Sequence, residues 1–282
     1  MGATVSRGIM QWSVIEPAEG RFEWDRYDEL VSDMQAHGMA PVFFLAGSPT
    51  WANGSADPLV VPAGPAFAPW KDAFVQFAAA VAQHFRGLGL RYEIWNEPNE
   101  YHFWRGSAPS VDRYASLFSE ARAAMLAQDP GAQIAVGGLA GLTASCCITG
   151  RDFLADLIDR DVSFDYVAIH PYSDRRGPYE HVRWRQNFDD TVMIHKLLEA
   201  RGRTGVRLWL TEWGWSSSEV GEEAQAQFVQ QSIDRIRSEW AGFVDIATYF
   251  LDADTPRYGH GLLRSDMSPK PAAAAFRASV AR

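Results

Sequence analysis

Short apolar runs rich in β-branched and aromatic residues alternate along this chain with longer stretches whose apolar residues recur every three or four positions. The short runs predict strands at Val5–Gln11, Ala40–Ala46, Arg91–Asn96, Gln133–Gly138, Tyr166–His170, Arg207–Thr211 and Val244–Leu251. The longer ones predict amphipathic helices at Trp24–His37, Trp70–Phe85, Val111–Gln128, Arg151–Asp159, Asp189–Ala200, Glu222–Trp240 and Pro271–Ala281. Pro130-Gly131, Gly202 and Gly205 stand where helices should stop. Strict alternation of this kind demands a parallel sheet, since each strand must return to the same end of the sheet through a right-handed crossover. The expected fold class is therefore α/β, a (β/α)8 TIM barrel read as one domain over residues 1–282. An open doubly wound sheet is the structural alternative, but no glycine-rich phosphate loop follows the first strand.

The pattern supplies seven strands, whereas a closed barrel of this class has eight. A missing strand leaves two unpaired edges. The chain also runs from Met1 almost directly into a strand. The sequence thus reads as a barrel lacking its first strand and helix, with that unit expected upstream. Any export leader would lie upstream too, so secretion is an expectation tied to such a leader.

Composition narrows the picture in a few places. Hydrophobic content of 47% with 22% charged residues suits a soluble globular domain. A net charge of −9 argues against nucleic acid as a partner. No apolar run reaches the eighteen residues that would cross a membrane as a helix. The two cysteines, Cys146 and Cys147, are neighbours, so there is no disulfide framework and no zinc-type spacing. No metal or other cofactor is expected. Of the eleven tryptophans, several cluster at predicted strand ends.

Two glutamates carry the chemistry. Glu97 stands in Tyr92-Glu-Ile-Trp-Asn-Glu-Pro-Asn99, and Glu212 in Leu208-Trp-Leu-Thr-Glu-Trp-Gly-Trp215, each where an apolar strand emerges. A carboxylate there needs solvation or hydrogen-bond partners, so its presence asks for a purpose. At the same end of a parallel barrel the two would face each other across its mouth. That is the arrangement that cleaves a glycosidic bond, one carboxyl group as acid/base and the other as nucleophile. Asn96 can hydrogen-bond a sugar hydroxyl beside the scissile bond, and Pro98 ends the strand and fixes the backbone behind Glu97.

Trp-Asn-Glu-Pro-Asn followed by Phe103-Trp104, and then Thr-Glu-Trp-Gly, resembles the retaining clan A glycoside hydrolases. The resemblance is strongest to family 39 and the related bacterial exopolysaccharide endoglycosidases, and it covers nearly all of the chain. Gly2-Ala-Thr-Val-Ser-Arg7, with Trp12 and Ile15-Glu-Pro17, resembles the clan's second strand. Ser48-Pro-Thr-Trp51 resembles the loop after the third, and Ile169-His-Pro-Tyr172 the sixth. Leu251-Asp-Ala-Asp254, with Gly261-Leu-Leu and Pro269-Lys-Pro271, resembles the eighth strand and its exit. The resemblance implies that Glu97 is the acid/base, Glu212 the nucleophile, and the missing strand the first. The family often ends its last strand with tryptophan, where this chain has Tyr249-Phe250-Leu251.

Supporting residues follow. Arg7 ends an apolar strand and needs a carboxylate partner: Glu212, as the resemblance implies, or Glu93 inside the barrel. His170 is read as touching the nucleophile or a sugar hydroxyl, and Tyr172 as bonding Glu212 or the ring oxygen. Trp51, Trp104, Trp213 and Trp215 are candidate sugar platforms that could equally be core. Asp252 and Asp254 read as loop caps. Arg175, Arg176, Arg183 and Arg185 form a basic stretch that reads as a solvated loop, with an acidic polysaccharide as the alternative contact. The expected function is double-displacement hydrolysis of a β-linked oligo- or polysaccharide. A carbohydrate-binding protein on an incomplete barrel, and a transglycosylase using the same glutamates, are the alternatives.

Overall fold

A computed structural model describes residues 2–281 of the chain. Among them, seven strands lie side by side in chain order, every adjacent pair parallel. They are β1 (Val5–Gln11), β2 (Ala40–Ala46), β3 (Arg91–Asn96), β4 (Gln133–Leu139), β5 (Tyr166–Ile169), β6 (Arg207–Trp213) and β7 (Val244–Tyr249). The helices are α1 (Trp12–Ile15), α2 (Asp25–Ala36), α3 (Thr50–Asn53), α4 (Phe67–His84) and α5 (Val111–Gln128), then α6 (Gly150–Asp159), α7 (Asp190–Ala200), α8 (Ser217–Val220), α9 (Glu222–Ser238) and α10 (Pro271–Val280). The sheet curls into a (β/α) barrel one unit short of eight. β1 and β7 are its edges and face each other, some of their Cα atoms within 8 Å, without ladder pairing.

The strand limits of β1, β2 and β3 are those the apolar pattern predicts. β6 continues two residues further than expected and so takes Glu212 into the strand, while His170 falls just outside β5. The single-turn helices α1, α3 and α8 were not legible in a periodicity that needs two turns to show. Side chains fix the start of two longer helices. Ser110 Oγ accepts from Arg113 N ahead of α5, and Thr149 Oγ1 from Asp152 N ahead of α6, so an otherwise orphaned first-turn amide is satisfied in each.

Alternation along the strands divides the apolar residues between two layers. One face, including Met10, Phe43, Leu45, Tyr92, Ile94, Val136, Val167, Leu208 and Leu210, packs under the helices in the main core. The other fills the barrel interior with Val42, Ala135, Ala168, Trp209 and Ile246, flanked by Val5 and Tyr166. This apolar floor sits at the N-terminal half of the strands. Above it lies a polar layer of Arg7, Glu93, Thr211 and Thr248, and above that the C-terminal mouth.

Candidate active site

Both glutamates reach the mouth because their strands break the two-residue period. On β6, Trp209 and Thr211 face the interior while Leu208 and Leu210 face the helices. Strict alternation would then aim Glu212 outward. A register shift against β7 between Leu210 and Trp213 instead leaves Thr211 and Glu212 both on the inner side, and swings Trp213 into the helix-side core. A bulge at a barrel rim re-aims a side chain in just this way.

On β3 the break is a backbone one. Arg91 and Glu93 follow the interior phase, but Trp95 has φ +68° and packs outward against Trp70 and Phe74, which turns Asn96 inward. Glu97 follows with φ +44° and its N–H bonded to the Gly138 carbonyl at 3.0 Å. Left-handed backbone at two non-glycine residues so close together stores strain of order 1–3 kcal/mol each. Strain of this kind persists only where the surroundings hold it in place.

β4 makes room for that geometry. A Cβ on Gly138 would lie 2.1 Å from His170 Nε2, and one on Gly137 2.4 Å from the Ile94 carbonyl oxygen. The glycine pair lets β3 and the His170 ring close onto β4, which no other residue would allow without displacement.

Arg7 organises the charges. Its guanidinium grips Glu93 through Nε at 2.7 Å and Nη2 at 3.0 Å, reaches Glu212 Oε1 through Nη1 at 2.7 Å, and donates from Nη2 to Asn96 Oδ1 at 2.8 Å. Both partners considered for Arg7 are therefore present at once, which its five donors permit. Glu93 is fully buried and also accepts from Gly138 N at 3.1 Å and Thr211 Oγ1 at 3.3 Å. Burial opposes the charge on Arg7, but Glu93 and then Glu212 outweigh it and raise the guanidinium pKa further.

Glu212 has three polar side chains around it. Besides Arg7, Tyr172 donates its hydroxyl to Oε2 at 2.9 Å, and His170 Nδ1 stands 3.8 Å from the same oxygen. Burial pushes its pKa up, but His170 and Arg7, helped by the Tyr172 hydrogen bond, bring it below the ordinary glutamate value. Glu212 is thus ionised at neutral pH. Burial keeps the Tyr172 hydroxyl protonated, and the neighbouring Glu212 charge adds to the effect, so it acts as a donor.

Glu97 has one such partner: its Oε1 lies 2.7 Å from His170 Nδ1. Burial disfavours a charged imidazole here, yet Glu212 and Glu97 together raise the His170 pKa above its ordinary value. Nε2 of the same ring, pressed against Gly138, has no partner. One carboxylate oxygen each from Glu97 and Glu212 and a His170 ring nitrogen all fall within 4.8 Å of one another. The Arg7 guanidinium and the His170 proton already supply positive charge there.

The two glutamates open into a cavity of about 430 Å³, with Phe44 and Asn96 beside them. Its far wall is aromatic: the expected Tyr172 meets three residues that were not anticipated, Phe250, Tyr258 and His260, edge to face, with ring centroids 5.5–6.2 Å apart. Burial lowers the His260 pKa, so this wall presents a neutral imidazole whose Nδ1 has no partner. Of the three, Phe250 is the one whose position, at the exit of the last strand, could have marked it in advance.

The tryptophan expectation is corrected. Trp104, Trp213 and Trp215 are at most 1% exposed, their rings enclosed by other aromatic side chains, and none of them lines the cavity. Trp51 packs its edge on Trp12, donates to the Glu16 carbonyl at 3.0 Å, and also stays off the cavity. Large apolar side chains next to an inward-turned polar residue are driven to the helix side, where the core takes them. Asp254 accepts from Gly261 N at 2.9 Å and from the buried Lys270 at 2.7 Å, which is the work of a loop cap. A second group of metal-type ligands, Glu100, His102 and Cys146, stands on the neighbouring loops.

Comparison of the sequence with models of known protein families finds no match. Solved structures do match. A family 39 glycoside hydrolase from Bacteroides cellulosilyticus WH2 superposes with a TM-score of 0.78 and 21% identity, over 99% of this chain and 57% of that one. The family 39 enzyme from Xanthomonas axonopodis pv. citri gives a TM-score of 0.71 and 18% identity over 97% and 59%. Native xylanase 10B from Thermotoga maritima gives 0.66 and 18% over 96% and 84%. The chain spans under two-thirds of the length of the two family 39 proteins. Its fold is that of the clan A glycoside hydrolases, as the motif resemblance implies.

Proposed function

We propose that the protein is a retaining glycoside hydrolase that cleaves a β-linked oligo- or polysaccharide by double displacement. The observation that carries this reading is the approach of Glu97 and Glu212 to within 4.8 Å, nearest oxygen to nearest oxygen, across an open cavity. Retaining enzymes hold their carboxyl groups about 5–5.5 Å apart, whereas inverting ones need roughly 6.5–9.5 Å to admit a water. An oxygen-to-oxygen approach this close supports the shorter, retaining separation.

The asymmetry of the pair supports a division of roles. Glu212, kept ionised by Arg7 and His170, bonds to the anomeric carbon as the glycosidic C–O bond breaks. The electron pair of that bond goes to the departing oxygen, which takes a proton from Glu97. Glu97 then removes a proton from water, whose oxygen displaces Glu212 from the sugar and restores both residues. Tyr172 and Arg7 take up the changing charge on Glu212. Asn96, its Oδ1 held by Arg7, has its amide N–H groups free for a sugar hydroxyl.

The structural neighbours include a β-xylosidase from Caulobacter crescentus and xylanases 10B, one of them in complex with xylobiose, so β-xylosides and xylo-oligosaccharides head the substrate panel. The test follows the anomeric configuration of the first-formed product by NMR, together with covalent labelling by a 2-deoxy-2-fluoro glycoside. Retained configuration and a label on the peptide containing Glu212 are expected. An inverted product, or a label elsewhere, would overturn the proposal.

A further inference from the structure

Beside the proposed active site, the loops leaving β3 and β4 bring together side chains that hydrolysis does not use. We propose that Glu100, His102 and Cys146 form a binding site for a borderline-soft divalent cation, with Zn²⁺ the best fit. One oxygen, one nitrogen and one sulfur from these residues all lie within 4.8 Å of one another. In a tetrahedral zinc site, bonds of about 2.0–2.3 Å set neighbouring ligand atoms roughly 3.3–3.8 Å apart. Cys146 Sγ is already 3.0 Å from Glu100 Oε2, so modest side-chain rotation closes the set.

The donor types choose the metal. A thiolate with an imidazole and a carboxylate suits Zn²⁺ or Co²⁺ and disfavours Mg²⁺ and Ca²⁺, which take oxygen ligands. Three protein ligands leave a fourth position for water. The frame around them is built ahead of any cation. Asn99 donates to the carbonyls of Ala140 and Ile148 and accepts from Ala140 N, which pins the loop carrying Glu100 to both ends of the segment carrying Cys146. A Cβ on Gly141, where φ is +54°, would lie 2.7 Å from Glu100 Oε1, so glycine keeps the space for that carboxylate. The ligands line a cavity of about 480 Å³ that Glu97 also borders, so a bound cation would sit on the acid/base side of the groove. Binding releases the Cys146 thiol proton to solvent as the sulfur–metal bond forms.

The test uses the whole chain, reduced with a phosphine that does not bind metal, and titrated with Co²⁺ alone. One equivalent should bind with tetrahedral visible bands and a near-ultraviolet thiolate-to-cobalt band, and Zn²⁺ should displace it. Cys146→Ser should abolish the thiolate band. His102→Ala should keep that band but weaken Zn²⁺ binding by more than about tenfold, the loss that even an outer-shell partner produces. Cys147→Ser, whose sulfur lies 3.0 Å from that of Cys146 but outside the ligand set, should keep the band. Circular dichroism and melting curves confirm that each variant is folded. No uptake by the reduced protein would overturn the proposal. So would cobalt bound without a thiolate band, which would place it at Glu97, His170 and Glu212 instead. Loss of the band in Cys147→Ser alone would overturn the assignment of Cys146.

Discussion

The ends of β3 and β6 present the same side chain to the same cavity but hold it in opposite ways. At β6 a bulge aims Glu212, and hydrogen bonds from Arg7 at 2.7 Å and Tyr172 at 2.9 Å then fix it, with His170 Nδ1 nearby at 3.8 Å. At β3 strained backbone aims Glu97, and among the described residues His170 alone hydrogen-bonds its carboxyl group, at 2.7 Å. A nucleophile must stay charged and in line with one carbon atom, so several donors serve it. An acid/base must give up and recover a proton between two steps, and a single partner leaves it free to do so. The difference in anchoring suits the difference in role proposed for the two glutamates.

The sharpest way to break this contrast is to remove each carboxyl group. Glu212→Gly should lower kcat/KM on the order of 10⁴-fold or more for every leaving group, with azide restoring turnover and an inverted product. Glu97→Ala should cost roughly 10²–10⁴-fold with poor leaving groups, yet form the covalent intermediate readily from a dinitrophenyl glycoside and release it slowly. Equal losses on the activated substrate would dissolve the distinction. Next in size is Arg7→Met, which leaves Glu93 buried without its cation. About 3–5 kcal/mol of stability should be lost, read from urea unfolding. Mutating the His170 partner of Glu97 carries no comparable buried orphan charge.

Tyr172→Phe is expected to be milder. Loss of a hydrogen bond to a charged group should lower kcat/KM roughly tenfold to a hundredfold. Glu212 has its pKa depressed in the folded protein, so the acid limb of the pH–rate profile should lie below the ordinary carboxylate range and move up in this variant. The same depressed pKa contributes stability at neutral pH that is lost as pH falls through the folded-state value. His170, with a raised pKa, contributes in the opposite sense: fully in mild acid, and less as pH rises through its folded-state value. Stability measured against pH should therefore fall off on both sides. Gly138→Ala is the smallest change. It pushes the His170 ring, and a stability loss of about 1–3 kcal/mol should accompany slower hydrolysis of the intermediate, the step that needs Glu97.

Much of this was legible in the sequence, and the exceptions share a cause. Apolar runs located the strands, and the spacing of Glu97 and Glu212 placed both carboxylates at one end of the barrel. Arg7, Asn96, His170 and Tyr172 all gather around them. What the pattern could not show is a departure from the pattern. The bulge at Thr211–Trp213 and the left-handed turn at Trp95 reverse which neighbour faces the groove, so Trp213 is buried while Glu212 is presented. Glu93 was expected only as an alternative partner for Arg7, yet it also accepts from Gly138 N and Thr211 Oγ1 in the polar layer. The adjacent Gly137 and Gly138 at the end of β4 are the visible sign in the sequence of close approach there.

The Arg7 bonds bear on how activity returns after denaturation. Arg7 and Glu212 are 205 positions apart in the chain, and the contact joins the first strand to the sixth. Individual strand–helix units can assemble from near neighbours, but this bridge must wait for the ends of the sheet to meet, and such long-range closures come slowly. Recovered turnover would then report the last act of folding rather than the return of helix content, and the two signals, followed together, should separate in time.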